Sequence, residues 1–320
     1  RDLRSRLQSE ARLRSLSQAR VQGSKDTTRK FLFRLDDGRF VESVLIPASP
    51  ALYGEAADRR TLCVSSQVGC AFDCKFCASG LAGFTRNLRA DEIVEQVLLA
   101  ETECGERIDN LVFMGMGEPL ANLPNLLKAI GIINAPWGVG IGARRMTIST
   151  SGLAPQIRKL ADQPLQLRLA VSLHGASDAV RSRIMPVNDR YPLDELFASL
   201  RYFAERRKQR ITFEYILIEG VNDALDEARE LVKRARTFSA KVNLIPYNRV
   251  DGLPWERPSE AQQQAFLKIL RQAGIPATLR KEKGHDIDAA CGQLRLREEE
   301  KISADPDPNP GLTAPTPPLD

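Results

Sequence analysis

The chain of 320 residues reads as an α/β protein built on a parallel sheet, with a small β unit ahead of it and a tail behind. Three observations predict this. Short apolar runs alternate with segments of helical spacing over residues 90–280. Apolar and polar residues alternate over 30–47 around Asp37-Gly38, a dipeptide suited to a tight hairpin turn. Residues 303–320 are mostly Pro, Asp and small side chains, which carry too little apolar surface to order themselves, so a disordered tail is expected there.

In chain order, residues 1–30 come first and carry nine Lys and Arg side chains against three acids. This end therefore carries +6, and the rest of the chain −1, of the net charge of +5. Leu3, Leu7, Leu13 and Leu16 would let a short amphipathic helix dock with its arginines in water, and an arm that contacts a nucleic-acid backbone is the alternative. Two antiparallel strands are expected within 30–47, and a third at 60–66 leads into a cysteine-rich loop. Ile93, Val94, Val97, Leu98 and Glu101 give 90–104 the spacing of a helix. Strands are then expected at 110–114, 145–149, 167–173, 211–217, 241–245 and 276–280, with helices at 123–134, 156–162, 193–207, 225–236 and 259–273. Such alternation implies a parallel sheet with crossover helices, open or rolled into a full or partial barrel, whose ligands gather at the strand carboxyl ends. Chemically distinctive residues do follow the strands, at 115–119, 149–152, 174–175 and 246–248. The expected division is 1–30, an accessory segment; 31–66, hairpin and lead-in strand; 67–296, the catalytic barrel; and 297–320, a charged helix end with the tail.

No signal-peptide pattern and no apolar run of membrane-spanning length is present, so a cytoplasmic, soluble enzyme without a membrane partner is expected. Six cysteines in such a chain point to metal binding or catalysis rather than a disulfide framework. Only His174 and His285 are available for imidazole chemistry.

Cys70, Cys74 and Cys77 lie within eight residues, so one loop can present three soft thiolates to a common centre. A structural zinc site closes with four ligands, whereas three clustered cysteines leave a cubane iron-sulfur cluster with one open iron. A zinc site that borrows Cys63 or Cys291 remains the alternative on spacing alone.

The Cys-x3-Cys-x2-Cys loop entering a strand-helix sheet resembles the radical S-adenosylmethionine superfamily. Cys63-Val-Ser-Ser-Gln-Val-Gly-Cys70, Met114-Gly-Met-Gly-Glu-Pro-Leu120, Ser149-Thr-Ser-Gly152, Ser172-Leu-His174 and Asp286-Ile-Asp-Ala-Ala-Cys-Gly-Gln-Leu294 narrow the resemblance to the RlmN/Cfr family of adenosine methyltransferases, from about residue 30 to about 296. The resemblance implies a partial (β/α)6-type barrel. It implies a 4Fe-4S cluster on Cys70, Cys74 and Cys77, and S-adenosylmethionine, two molecules per turnover, near Gly117, Glu118, Ser149, Ser172, Leu173, His174 and Asn248. It makes Cys291 the carrier of a methyl group, Cys63 the thiol that releases the product by forming a Cys63–Cys291 disulfide, and Glu42 a proton acceptor, with Cys63 the alternative for that proton.

The implied reaction is methylation of adenosine carbon 2 in 23S rRNA and tRNA, with carbon 8 of the same rRNA base as the alternative. A low-potential electron donor such as flavodoxin is implied, and a monomer is expected. The small helical RNA-binding domain of that family would be represented only by residues 1–30. Arg206, Arg207, Lys208 and Arg210 could hold phosphates, although a solvated helix end is the plainer reading. Cys104 matches no role and is read as packing or an exposed thiol.

Overall fold

The computed structural model describes residues 3, 5, 6, 10, 14–24, 27–47, 59–81, 83–280 and 294–296. In chain order its strands are β1 (Leu16–Gly23), β2 (Arg29–Leu35), β3 (Phe40–Ile46), β4 (Thr61–Cys63), β5 (Gln67–Gly69), β6 (Phe84–Asn87), β7 (Asn110–Phe113), β8 (Met146–Thr150), β9 (Arg168–Ser172), β10 (Thr212–Leu217), β11 (Lys241–Pro246) and β12 (Ala277–Leu279). The helices are α1 (Ala78–Leu81), α2 (Ala90–Cys104), α3 (Leu123–Asn134), α4 (Ala154–Ala161), α5 (Asp178–Ile184), α6 (Val187–Arg190), α7 (Leu193–Arg207), α8 (Leu225–Thr237) and α9 (Glu260–Gln272).

One ten-stranded sheet runs in the order β1-β2-β3-β4-β7-β8-β9-β10-β11-β12. From β1 to β4 the neighbours are antiparallel, and from β4 onward every pair is parallel. Strands β1 and β12 form the two edges, so among the described residues the sheet is an open, partial barrel. The first parallel strand, β4, already belongs to the segment that the sequence set apart as a lead-in. Hairpin and barrel are therefore continuous in hydrogen bonding.

Alternation along the strands divides core from site. On β10, Phe213, Tyr215 and Leu217 are buried and apolar, while Glu214 and Ile216 face a cavity. The outer set meets helices: Phe213 contacts Phe197 of α7 at 5.9 Å between ring centroids, and Tyr215 contacts Phe266 of α9 at 5.4 Å. On β11, Val242 and Leu244 go to the core while Asn243 and Ile245 face the cavity. The helices supply the matching apolar stripes, such as Leu126, Ile130 and Ile133 on α3 and Leu196, Leu200 and Phe203 on α7. Helix α2 begins with Glu92 reaching back to accept from the Arg89 N–H at 2.8 Å and ends at Gly105, whose φ of 67° is the left-handed conformation that a helix stop favours.

The amino-terminal end departs from the sequence reading. The described residues 3, 5, 6 and 10 are helical, as one of the two readings expected, but Leu16–Gly23 is an edge strand paired with β2. Of its residues only Leu16 is buried, so there was no apolar alternation to read. Glu95 of α2 fixes its start, accepting from the backbone N–H groups of Ser15 at 2.8 Å and Leu16 at 2.7 Å. Lys30, counted among the basic side chains of the arm, is wholly buried. The β5–β6 hairpin and the short helices α5 and α6 were also absent from that reading. Among the described residues no helix is long and apolar enough to cross a membrane.

Candidate active site

The strand carboxyl ends open into a cavity of ≈ 380 Å³. Its walls include Cys70, Cys74 and Cys77, Cys63 at the end of β4, and Gly117, Glu118, Ser149, Ser172, His174 and Asn248. Two of the expected residues do not line it. Leu173 is a core side chain, and only its backbone lies at the strand tip. Glu42 is off the cavity as well. Cys291 lies outside the described residues, as do His285 and the segment 297–320.

The thiol loop hangs between β5 and α1. Gly69 has a φ of +76°, and a Cβ there would meet the carbonyl oxygen of Gly83 at 1.8 Å, so only glycine lets the loop turn beneath β6. The loop is tied down by the Lys75 N–H donating to Ile184 O at 2.9 Å and by Trp255 Nε1 donating to Lys75 O at 2.7 Å. Burial pushes the Cys70 thiol up to about 12, and burial, followed by the nearby thiols, holds Cys74 well above its ordinary value. Thiolates become stable at such a place only when a cationic group binds and displaces the protons. Three soft donors on one loop, beside room for a second molecule, fit an iron-sulfur cluster with one open iron.

Next to the thiols, Gly115 and Gly117 allow a tight approach. A Cβ on Gly115 would lie 2.7 Å from Ser65 Oγ, and one on Gly117, where φ is +93°, would lie 2.4 Å from Gln67 Cβ. Gln67 Oε1 accepts from the Glu118 N–H at 2.8 Å, joining the hairpin to the turn after β7. The Glu118 carboxylate is buried and accepts from the backbone N–H groups of Leu120 at 3.0 Å and Ser151 at 2.7 Å. Those bonds favour its charged form, yet desolvation outweighs them and holds its pKa above the ordinary value. A buried acid of this kind suits a positively charged ligand group.

His174 has a φ of 55° and closes the turn after β9. Its Nδ1 accepts from the Ile216 N–H at 3.0 Å, so the neutral ring carries its proton on Nε2. Burial and the charge of Arg181 push its pKa down to about 3. Phe76 packs edge-on against the ring at 4.9 Å. Ser149 and Ser172 bring their hydroxyls to 3.5 Å.

Arg181, which the sequence reading missed, organises this region. It is fully buried, and its guanidinium donates to Leu173 O at 3.1 Å, to Asn188 Oδ1 at 2.7 Å and to Ser151 O, joining the turns after β8 and β9. Glu214, Asn243 and Arg280 also line the cavity and were not anticipated. A charged residue inside the otherwise apolar run of β10 was the available signal.

Glu42, the proton acceptor implied by the resemblance, lies in a buried ion pair. Its Oε2 lies 2.9 Å from Lys30 Nζ, and its Oε1 accepts from the Arg295 N–H at 2.6 Å. Both side chains of the ion pair are buried. The basic cluster on α7 is likewise engaged in the fold: Arg206 pairs with Asp162 at 3.3 Å and stacks on Tyr202, and Arg207 donates to Leu160 O. Cys104 is half-buried at the end of α2 and packs against the core.

Comparison with known proteins agrees with this architecture. The model of the radical SAM superfamily matches residues 64–234. The chain is 57% identical over 283 residues to a probable dual-specificity RNA methyltransferase RlmN of Akkermansia muciniphila, covering 88% of this chain and 79% of that protein. It is 47% identical to the dual-specificity RNA methyltransferase RlmN of Syntrophobacter fumaroxidans, over 92% of this chain and 84% of the other. The crystal structure of a radical SAM methyltransferase from Sphaerobacter thermophilus superposes with a TM-score of 0.86 at 45% identity, covering 92% of this chain and 85% of that one. The cavity, its thiol loop and these likenesses lead to one conclusion: the chain belongs to the RlmN family of RNA methyltransferases, radical enzymes that work with a 4Fe-4S cluster and S-adenosylmethionine.

Proposed function

We propose that the chain methylates carbon 2 of an adenosine at the peptidyl-transferase centre of 23S rRNA and of the adenosine following the anticodon in tRNA, by way of a methylated Cys291. The observation that supports this most is the single cavity in which Cys63 stands together with Cys70, Cys74, Cys77, Glu118, Ser149, Ser172 and Asn248.

In this reading Cys70, Cys74 and Cys77 hold the cluster. Bound there with S-adenosylmethionine, it supplies the electron that opens the sulfonium bond and so the radical that removes hydrogen. Glu118 balances the methionine ammonium. Ser149, Ser172, Asn248 and the backbone at Gly117 and Leu173 bond carboxylate and ribose oxygens, and His174 offers a donor from Nε2. Cys291 receives the methyl group and carries its carbon to the base. Once the ring proton is removed, Cys63 as thiolate would attack the Cys291 sulfur, the new S–S bond replacing the bond from that sulfur to the transferred carbon, whose electron pair stays with the base and takes a proton to complete the methyl group. An external reductant must then open the disulfide before the next turnover.

The ring proton falls to Glu42 or Cys63. The buried pairing of Glu42 with Lys30 favours Cys63, which must lose that proton again before it attacks. A flavodoxin-like donor of low potential and a monomer acting in the cytoplasm complete the proposal.

The test is anaerobic reconstitution with methyl-labelled S-adenosylmethionine, a low-potential reductant, and naked 23S rRNA or tRNA, followed by mass spectrometry of the nucleosides. The wild type is expected to yield 2-methyladenosine and Cys291→Ala none, while Cys63→Ala traps a covalent protein-RNA adduct. Formation of 8-methyladenosine would move the reaction to the other ring carbon. Release of deoxyadenosine without any methylated base would overturn the substrate.

A further inference from the structure

The layer beneath the strand tips holds polar groups that the proposed mechanism does not use. Glu214 of β10 pairs in register with Asn243 of β11, and Asn243 with Thr278 of β12. Each of the first two lies three residues before the end of its strand, about 10 Å below the tips at roughly 3.3 Å per residue. Glu118, His174 and Asn248, by contrast, follow strand ends.

Glu214 is 7% exposed and lines the cavity. Its Oε2 accepts from Asn243 Nδ2 at 2.8 Å, and Asn243 Oδ1 accepts from Thr278 Oγ1 at 2.9 Å, which fixes the amide's orientation. Among the described residues neither side chain has a further hydrogen bond, so Glu214 Oε1 and the second Nδ2 hydrogen of Asn243 are unmatched. The carboxylate oxygen left without a protein donor opens on the cavity, where a ligand can supply one. The unmatched groups are one acceptor and one donor, side by side on neighbouring strands.

We propose that Glu214 and Asn243 form a receptor for an adenine edge, Oε1 accepting from the exocyclic amine and Nδ2 donating to the ring nitrogen beside it. The pattern is selective, since guanine places an oxygen where adenine has its amine, and that oxygen would face the carboxylate. Burial raises the Glu214 carboxyl above its ordinary value, and the Asn243 hydrogen bond and the charges of Arg280 and Lys241 oppose that rise. Two adenines share this chemistry, that of the RNA and that of S-adenosylmethionine. Glu214 stands in register with Ser172 of β9, but Asn243 lies on its far side, five residues before Asn248, and the pair runs away from Glu118 along β10 and β11, which assigns it to the RNA base. The inference rests on the proposal that an RNA adenosine is the substrate.

The experiment compares two 23S rRNA fragments, one with the target adenosine and one with purine riboside in its place, which lacks only the amine. Methylation and equilibrium binding are measured for wild type, Glu214→Gln and Asn243→Ala, together with affinity for S-adenosylmethionine. Wild type should favour adenosine about tenfold, as one good base contact does, and both variants should fall to within about twofold while the affinity for S-adenosylmethionine holds. Glutamine serves here because Asn243 Nδ2 would keep its oxygen and turn an amide donor toward the amine. Weaker S-adenosylmethionine binding with base preference unchanged would assign the receptor to the cofactor and overturn the RNA assignment. Unchanged preference and unchanged cofactor affinity would overturn the receptor itself. Failure of the wild type to methylate the adenosine fragment would instead count against the substrate reading. Binding still reports for a variant that has lost turnover.

Discussion

Lys30 and Glu42 face each other across β2 and β3 at 2.9 Å, with neither side chain in contact with water, and the same carboxylate receives the backbone N–H of Arg295. The pair therefore ties the carboxyl-terminal segment to the antiparallel end of the sheet. Leu294 adds an apolar contact by packing with Leu32 and Phe40. Removing one partner strands a charge in the interior. Lys30→Met is expected to cost about 3–5 kcal/mol in urea denaturation, and Lys30→Met with Glu42→Leu to recover a good part of that. Equal losses in the single and double variants would show that the pair contributes little beyond packing.

Arg181 should be the most sensitive residue that contacts no proposed substrate. Arg181→Met withdraws the donor from two buried carbonyl oxygens and from Asn188, at about 1–3 kcal/mol for each group left unmatched. Thermal or urea unfolding should show a large loss. Affinity for S-adenosylmethionine should fall with it, because the turns after β8 and β9 are no longer joined. Arg181→Lys should recover only part of either, as an ammonium cannot span three acceptors in fork geometry.

His174 makes stability depend on pH in a known direction. Its folded pKa of about 3 lies below the ordinary value of 6.5, so between those limits the unfolded chain binds the extra proton. Stability is then fully present above roughly pH 6.5 and is lost as pH falls toward 3, at up to about 1.4 kcal/mol per pH unit from this group. Unfolding free energies at several pH values should show that slope in the wild type and lose it in His174→Gln.

Gly117→Ala tests the close approach at the cavity wall. The new methyl group would stand on the Gln67 side chain and require a backbone conformation that alanine resists. An expected loss of about 1–3 kcal/mol should accompany weaker binding of S-adenosylmethionine, measured by calorimetry. Retention of both properties would mean that Gln67 yields without moving Glu118.

Much of this architecture was legible because strand and helix periods are strong signals. The run of parallel strands β7 to β12 follows the apolar segments read from the sequence, and the thiol loop and the turns after the strands gather at one mouth. What escaped is what periodicity does not encode. Strand β1 is exposed along nearly its whole length, so nothing in its side chains distinguishes it from an arm. Arg181 sits on α5, a helix too short for its period to be read, which turns it beneath two strand ends. The partners of Glu42, Lys30 and Arg295, could not be read beforehand either, because strand pairing and the chain's far end bring them to it.

The bond between Trp255 Nε1 and Lys75 O joins residues 180 positions apart. On a ribosome that adds about 5–20 residues per second, the thiols would emerge roughly 10–40 s before the tryptophan that fixes their loop. The loop's anchorage is then incomplete until residue 255 has been made. Nascent polypeptides that end before α9 would present three reactive sulfurs without their frame, open to oxidation or the wrong metal, and would depend on the cell's quality control until the final strands arrive.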